Sequence, residues 1–208
     1  MPLNYLFIIL SILLGYLIGS IPMGYIVAKI KGIDITSVES GRTGGTNVSR
    51  ALGWRYGLLT GALDILKGAA AVLLARYFFG NDPAIYAALS GAFAIIGHNW
   101  SLFLGFRGGA GGATAGGALF ALNPLAGAIL VPTFIIILFV VRYASVATMT
   151  IGLGSLAILT LFYLVGWDTP AGQILFGALA SVAILWALRP NIRRLIQGNE
   201  RRITFGRS

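Results

Sequence analysis

Apolar residues dominate this 208-residue chain in a series of runs, and their lengths decide what it can fold into. A helix crossing about 30 Å of hydrocarbon needs about 20 mostly apolar residues. By that ruler, spans are expected at 4–28, 54–79, 84–104, 112–122, 125–141, 144–166 and 170–188. The fourth is short for a full crossing and reads as an interrupted or partly buried helix that begins in a glycine-rich stretch. Irregular backbone at membrane depth survives only where protein or a wet cavity satisfies it. With 57% hydrophobic and 10% charged residues, the chain has too little polar surface for a water-soluble domain.

The connections alternate in charge, which sets the orientation. Lys29, Lys31, Arg42, Arg50 and Arg55 sit in the first connection, Arg107 in the third and Arg142 in the fifth, while Arg189, Arg193, Arg194, Arg201, Arg202 and Arg207 crowd the tail. The turns near Asn81 to Pro83, Asn123 to Pro124 and Trp167 to Pro170 carry Asp82 and Asp168 and neither lysine nor arginine. Basic connections stay on the cytoplasmic side. The expectation is therefore an all-α integral membrane protein of about seven transmembrane helices, N-terminus outside and C-terminus cytoplasmic. It forms one polytopic domain over 1–208, with cytoplasmic loops at about 29–54 and 105–111 and a cytoplasmic tail at about 189–208. The first apolar run is not a secretory signal, because its first positive charges, Lys29 and Lys31, follow it.

Composition excludes several chemistries. The chain has no cysteine, so disulfides, thiolate metal sites and a cysteine nucleophile are out, and the single histidine, His98, argues against a histidine metal cluster. The net charge of +9 sits at the ends of apolar runs, which fits topology and anionic lipid better than nucleic acid.

Three cytoplasmic segments have a texture that topology alone does not need. Glu39-Ser40-Gly41-Arg42-Thr43-Gly44-Gly45-Thr46-Asn47 leads to Arg50. Gly105-Phe106-Arg107-Gly108-Gly109-Ala110-Gly111-Gly112 precedes a span. Asn191-Ile192-Arg193-Arg194-Leu195 is followed by Gly198 and Glu200. Glycines let successive N–H groups turn toward one centre and hold an anion, above all just before a helix begins. The plainer reading, close helix packing, is preferred for Gly116, Gly117, Gly152 and Gly154, and Ser40 and Thr46 are equally suited to capping or turning. Asp64 and Lys67 lie three apart inside the second span and should pair facing the bundle interior. Whether they serve structure or touch substrate stays open. His98 is suited to polarise a hydroxyl at neutral pH, although a buried histidine bonded to backbone is the commoner case.

At these residues the sequence resembles the bacterial acyl-phosphate:glycerol-3-phosphate acyltransferase family, PlsY, over nearly its whole length. The shared blocks are Gly19-Ser20-Ile21-Pro22 with Gly24-Tyr25, then Ser40-Gly41, Gly44, Thr46-Asn47 and Arg50, and then Asp64 with Leu66-Lys67-Gly68. Further on come Gly97-His98, Phe103, Gly105-Phe106, Gly108-Gly109, Gly111, Ala113-Thr114 and finally Asn191-Ile192, Arg194-Leu195, Gly198 and Glu200. The resemblance implies a seven-span enzyme that moves a fatty acyl group from acyl phosphate to the 1-hydroxyl of glycerol 3-phosphate. The products are lysophosphatidic acid and phosphate. It implies no acyl-CoA, no metal and no other cofactor, and a soluble phosphate acyltransferase that supplies the donor.

An acyl phosphate is already an activated anhydride, so an enzyme mainly aligns the hydroxyl and neutralises phosphate charge. The family's serine and arginine map onto Ser40 and Arg50, its glycerol-phosphate loop onto Gly108, Gly109 and Gly111, and its third-motif asparagine onto Asn191. His98 joins Ser40 and Arg50 as catalytic. Arg42, Thr46, Asn47, Lys67, Arg107 and Glu200 join the substrate-binding set. Two lysines usually flank the paired glycines, and here they are Arg107 and Ala110. Arg42 replaces an asparagine, Thr36 a frequent arginine, Ser101 a proline, and Leu188 a frequent histidine. Arg42 is expected to restore the charge that Ala110 lacks, provided the two loops converge. Two other readings compete: a catalytically silent or altered-substrate relative that binds acyl phosphate or lipid, and a small transporter motivated by Asp64 and Lys67.

Overall fold

A computed structural model describes residues 4–80 and 84–203. The turn expected at Asn81 to Pro83 and Arg207 of the tail lie outside the described residues. Within them all regular structure is helical, apart from a single bridge pairing Ser101 with Arg107.

The first expected span is two helices, α1 (Tyr5–Ser20) and α2 (Met23–Ile30), rather than one. Pro22 has no N–H to give the carbonyl of Ile18, and the N–H of Ile21 takes that oxygen instead at 3.2 Å. Helix α3 (Gly45–Leu52) lies in the first loop, and Gly53, at φ +94°, turns the chain into α4 (Trp54–Phe79). There follow α5 (Ile85–Asn99), α6 (Gly112–Leu122), α7 (Pro124–Val140), α8 (Ala144–Leu164), α9 (Ala171–Ala187) and α10 (Arg189–Ile196).

Three stretches, Tyr5–Ile30, Trp54–Phe79 and Ala144–Leu164, are long and apolar enough to cross a membrane, and α9 with α10 gives a fourth if their 64° bend is taken as one broken span. Helices α6 and α7 are apolar but shorter. Leucine, isoleucine and phenylalanine side chains stand exposed along these helices, as lipid-facing surfaces require.

Helix α5 is the axis of the bundle, with twelve of its fifteen residues buried. Its small residues let neighbours come close. A β-carbon at Gly15 or Gly19 of α1 would collide with the α5 backbone at Ser90 or Ala94, and one at Gly97 with the α1 backbone. On the other side Ala88, Ala92 and Ile95 join Leu119, Ile151, Phe176 and Ile184 in the main core. Of the four glycines assigned to packing, Gly117, Gly152 and Gly154 are crowded against Ile65, Ile184 and Leu130, whereas a methyl at Gly116 would meet nothing closer than 3.4 Å. A second cluster, Val27, Ala28, Ile35 and Val48, joins α2, the first loop and α3, and fixes that loop over the end of the bundle.

Candidate functional site

The first loop is built around one amide. Ile35, fully buried, pins a short 3-10 turn that Asp34 caps by accepting from the amide and hydroxyl of Thr36 at 3.0 and 2.6 Å. Those two bonds hold the Asp34 carboxyl below its usual pKa. The chain then reverses through positive φ at Glu39 (+54°) and Gly41 (+66°) around Asn47. The Asn47 side chain accepts from the N–H of Ser40 at 3.1 Å and donates to the carbonyls of Arg42, Val38 and Ile35 at 2.8, 3.2 and 3.4 Å. Asn47 therefore shapes the loop that carries Ser40 and Arg42. Ser40 is exposed, Thr46 is half-buried on the first turn of α3, and Arg50 projects from the last turn of that helix.

The glycine-rich loop is seated on the end of α5. Its entry is closed by the N–H of Ser101 bonding the Arg107 carbonyl at 3.3 Å, and the Ser101 hydroxyl donates to the Ser20 carbonyl at 2.5 Å. The N–H of Gly109 donates to the His98 carbonyl at 3.0 Å. A side chain at Gly108 would strike the backbone of His98 and Asn99, and one at Gly109 would strike the His98 imidazole at Nε2. Gly111, at φ +82°, starts α6. Behind the imidazole, Asp64 Oδ1 lies 3.3 Å from His98 Nδ1 and 3.0 Å from Lys67 Nζ, and Lys67 donates to the Ile21 carbonyl at 2.9 Å. Lys67 is thus tied through Asp64 to His98 and through Ile21 to the break at Pro22.

The third segment meets the first at Glu200. Its carboxylate accepts from Asn191 Nδ2 at 2.7 Å, from Arg194 Nε at 2.9 Å and from the Ser145 hydroxyl at 3.2 Å, and its side chain is 6% exposed. Arg42 reaches across to donate from Nη2 to the Ala187 carbonyl at 2.7 Å, where it interacts electrostatically with Arg194, Glu200 and His98. Burial, and then the Arg194 charge, lower the pKa of Arg42, against a smaller opposing effect of Glu200. Burial likewise lowers that of Arg50, with Glu39 opposing, Arg201 adding to it and Glu200 opposing. Arg201 pairs with Glu39 at 2.7 Å. The tail is laced to the α7–α8 turn as well: the Arg142 carbonyl takes the N–H of Ile203 at 2.7 Å, and Arg142 Nε donates to the Ile203 carbonyl at 3.0 Å.

Arg42, Arg50, Asn191, Glu200 and His98 are therefore brought into one neighbourhood, with Gly108 and Gly109 against His98. Arg107 stands exposed at the rim of its turn. Ala110 is half-buried at the edge of the apolar core. Sequence reasoning passed over Ser145, whose only signal is its place just after the Arg142 turn, and gave no role to Arg201. Arginines 42, 50, 194 and 201 face carboxylates 39 and 200, leaving two positive charges in excess, which suits a phosphate dianion. The Asn191 Oδ1 is buried with no partner among the described residues, so it is an acceptor for a hydroxyl donor.

A cavity of about 910 Å³ lies elsewhere, where the C-terminal end of α6 meets the N-terminal end of α9, between Arg76, Asn123, Trp167 and Gln173. Several of its polar side chains are engaged within the bundle. Arg76 donates to the carbonyls of Ala121 and Leu122 at the end of α6, and Asn123 donates to Gln173 and Thr169. Asp168 also lines the cavity and stands exposed.

A family model described as "Glycerol-3-phosphate acyltransferase" matches residues 9–198. A glycerol-3-phosphate acyltransferase of Thermus thermophilus is 40% identical over 193 residues, covering 93% of this chain and 94% of the relative. Glycerol-3-phosphate acyltransferase 1 of Deinococcus radiodurans is 41% identical over 195 residues, covering 94% and 95%. A crystal structure of PlsY, an integral membrane glycerol 3-phosphate acyltransferase, in its glycerol 3-phosphate form superposes with a TM-score of 0.83 at 35% identity, covering 95% of each chain. Its lysophosphatidic acid form gives 0.80 at 34%. This chain is an integral membrane protein of the glycerol-3-phosphate acyltransferase family.

Proposed function

We propose that this protein transfers a fatty acyl group from acyl phosphate to the 1-hydroxyl of glycerol 3-phosphate, releasing lysophosphatidic acid and phosphate in phospholipid synthesis. Membership of the family and the glycerol 3-phosphate and lysophosphatidic acid forms of its crystallised relative support the acceptor and the product. The observation that carries the reading here is the convergence of Arg42 and Arg50 on Glu200, which leaves excess positive charge beside His98 and the glycine loop.

In this reading Arg50 and Ser40 clamp and orient substrate phosphate, and the backbone of Gly108, Gly109 and Gly111, with Arg107 at the rim, receives the glycerol-phosphate end. Asn191 Oδ1 accepts from a substrate hydroxyl, and His98 polarises the attacking 1-hydroxyl. Thr46 lines the site, Asn47 and Lys67 hold the loop and the imidazole, and Glu200 holds Asn191. The hydroxyl oxygen bonds to the acyl carbon, the acyl–phosphate C–O bond breaks, and the hydroxyl proton leaves to the released phosphate or to water. Positioning and charge neutralisation suffice, because the donor is an activated anhydride. Arg42 supplies the charge that Ala110 does not, a role supported by its electrostatic reach to His98 and Glu200.

The chain is one polytopic domain of the bacterial inner membrane with about seven spans, N-terminus outside and C-terminus cytoplasmic, a reading supported by the basic connections that share the site's side of the membrane. A soluble phosphate acyltransferase supplies its acyl phosphate.

The test is turnover of purified protein in lipid with palmitoyl phosphate and glycerol 3-phosphate, followed by phosphate release and mass spectrometry of the product. Activity lost in Ser40→Ala and Arg50→Ala supports the assignment. Binding without turnover in the unaltered protein points instead to a silent relative, and counterflow without chemistry to a transporter.

A further inference from the structure

The 64° bend between α9 and α10 opens a groove of about 610 Å³ at the cytoplasmic boundary of the bundle, lined by Trp100, Trp186, Ala187, Arg189, Pro190 and Arg193. That volume is within the roughly 300–1,000 Å³ of small-ligand sites. None of the residues assigned above to the acyltransferase lines it. Arg189 is set in place: its guanidinium lies 3.4 Å from the Trp186 ring centroid and its Nε donates to the Trp186 carbonyl at 3.1 Å. Arg193, one turn further along α10, is exposed. Among the described residues neither arginine pairs with a carboxylate, whereas Arg194 and Arg201 both do. Trp186 is 55% exposed, so the groove presents an apolar aromatic wall beside two cations. Tryptophans settle at the headgroup level of a bilayer, and basic groups there attract anionic lipid.

We infer that this groove is a docking site for the phosphodiester headgroup of an anionic phospholipid of the cytoplasmic leaflet, held between Arg189 and Arg193 with its glycerol and upper acyl carbons against Trp186. Charge decides for an anionic over a zwitterionic lipid: among the described residues no carboxylate compensates the two guanidiniums, and a choline headgroup would bring a third cation to them. The groove shares a wall with the acyltransferase site, since the carbonyl of its lining residue Ala187 is the acceptor for Arg42.

The experiment is native mass spectrometry of the full chain in detergent, with phosphatidylglycerol and phosphatidylcholine in equal amount as competing probes. The unaltered protein is expected to retain one phosphatidylglycerol in preference. Arg189→Gln with Arg193→Gln should lower that preference roughly tenfold or more, the attraction of two surface arginines. Arg193→Gln alone, which removes no side-chain bond among the described residues, should lower it in part. Arg55→Gln, an arginine that also faces a tryptophan, Trp54, but is not among the residues lining this groove, should leave it unchanged. Equal retention of the two lipids, no change in the double variant, or an equal loss in Arg55→Gln would overturn the assignment. Displacement of the lipid by inorganic phosphate would do so too, marking a site for free phosphate.

Discussion

Gly109 lies so close to His98 that the imidazole Nε2 occupies the space a β-carbon would need. The loop and the histidine are thus one unit: the same glycine donates its N–H to the His98 carbonyl. Gly109→Ala should separate them. Overpacking of this kind costs about 1–3 kcal/mol, so kcat/KM for glycerol 3-phosphate should fall roughly 10- to 100-fold. Gly116→Ala, where the added methyl has ordinary clearance, should leave the kinetics unchanged. Steady-state assays of both variants check the contrast.

Asp64 and Lys67 should behave as a pair. Removing either leaves the other charge buried without compensation, at a cost of about 3–5 kcal/mol. Asp64→Asn and Lys67→Met alone should each lower the thermal midpoint in detergent by several degrees, and the double variant should recover most of the loss. Because Asp64 also faces His98 Nδ1, activity should stay low in the double variant even where the midpoint returns. If activity returned with it, the pair would be structural only.

Glu200→Ala would strip the Asn191 amide and the Arg194 guanidinium of their common acceptor. With Glu200 nearly buried but Arg194 43% exposed, solvent softens the loss, to about 2 kcal/mol. Glu200→Gln keeps an acceptor oxygen and should lose less than half of that. Thermal unfolding of the two variants, followed by tryptophan fluorescence, reads the difference.

The relocation of charge from the glycine loop to Arg42 is checked by exchange. Arg42→Asn should raise KM for glycerol 3-phosphate about tenfold, in line with a charge-assisted bond of 1.5 kcal/mol or about that. Adding Ala110→Lys should return part of it. An unchanged KM in the double variant, with Arg42→Asn alone also silent, would remove the argument for relocation.

Where the sequence was explicit, it was so for local reasons. The second span is legible to the residue, because Gly53 and Gly80, at φ +94° and +83°, bound a mostly apolar stretch at Trp54–Phe79. The break at Ile21–Pro22 was hidden inside a run apolar on both sides, although the proline that causes it was in view. The pairing of Asp64 with Lys67 followed from helical spacing, but His98 joins them only through the packing of α5 on α4. Asn47 reads as a ligand by its motif, yet the folded loop engages its side chain with four backbone groups. The Ser145 and Arg201 contacts are long-range, made by side chains 55 and 162 residues from their partners, and no local pattern announces them.

Glu39, Arg42 and Arg50 precede nearly all of the membrane-embedded helices, and Asn191, Glu200 and Arg201 follow them. Biogenesis therefore has an order imposed on it. A nascent chain with its first helices already in the bilayer holds half of an anion site, and cannot engage a phosphate in the same way until the segment beyond α9 has emerged and folded back. Insertion thus precedes catalysis, so a ribosome-bound chain stalled before residue 189 should be integrated into the membrane yet inert. Cell-free synthesis of such stalled chains, assayed for integration and for acyl transfer, would make that sequence of events visible.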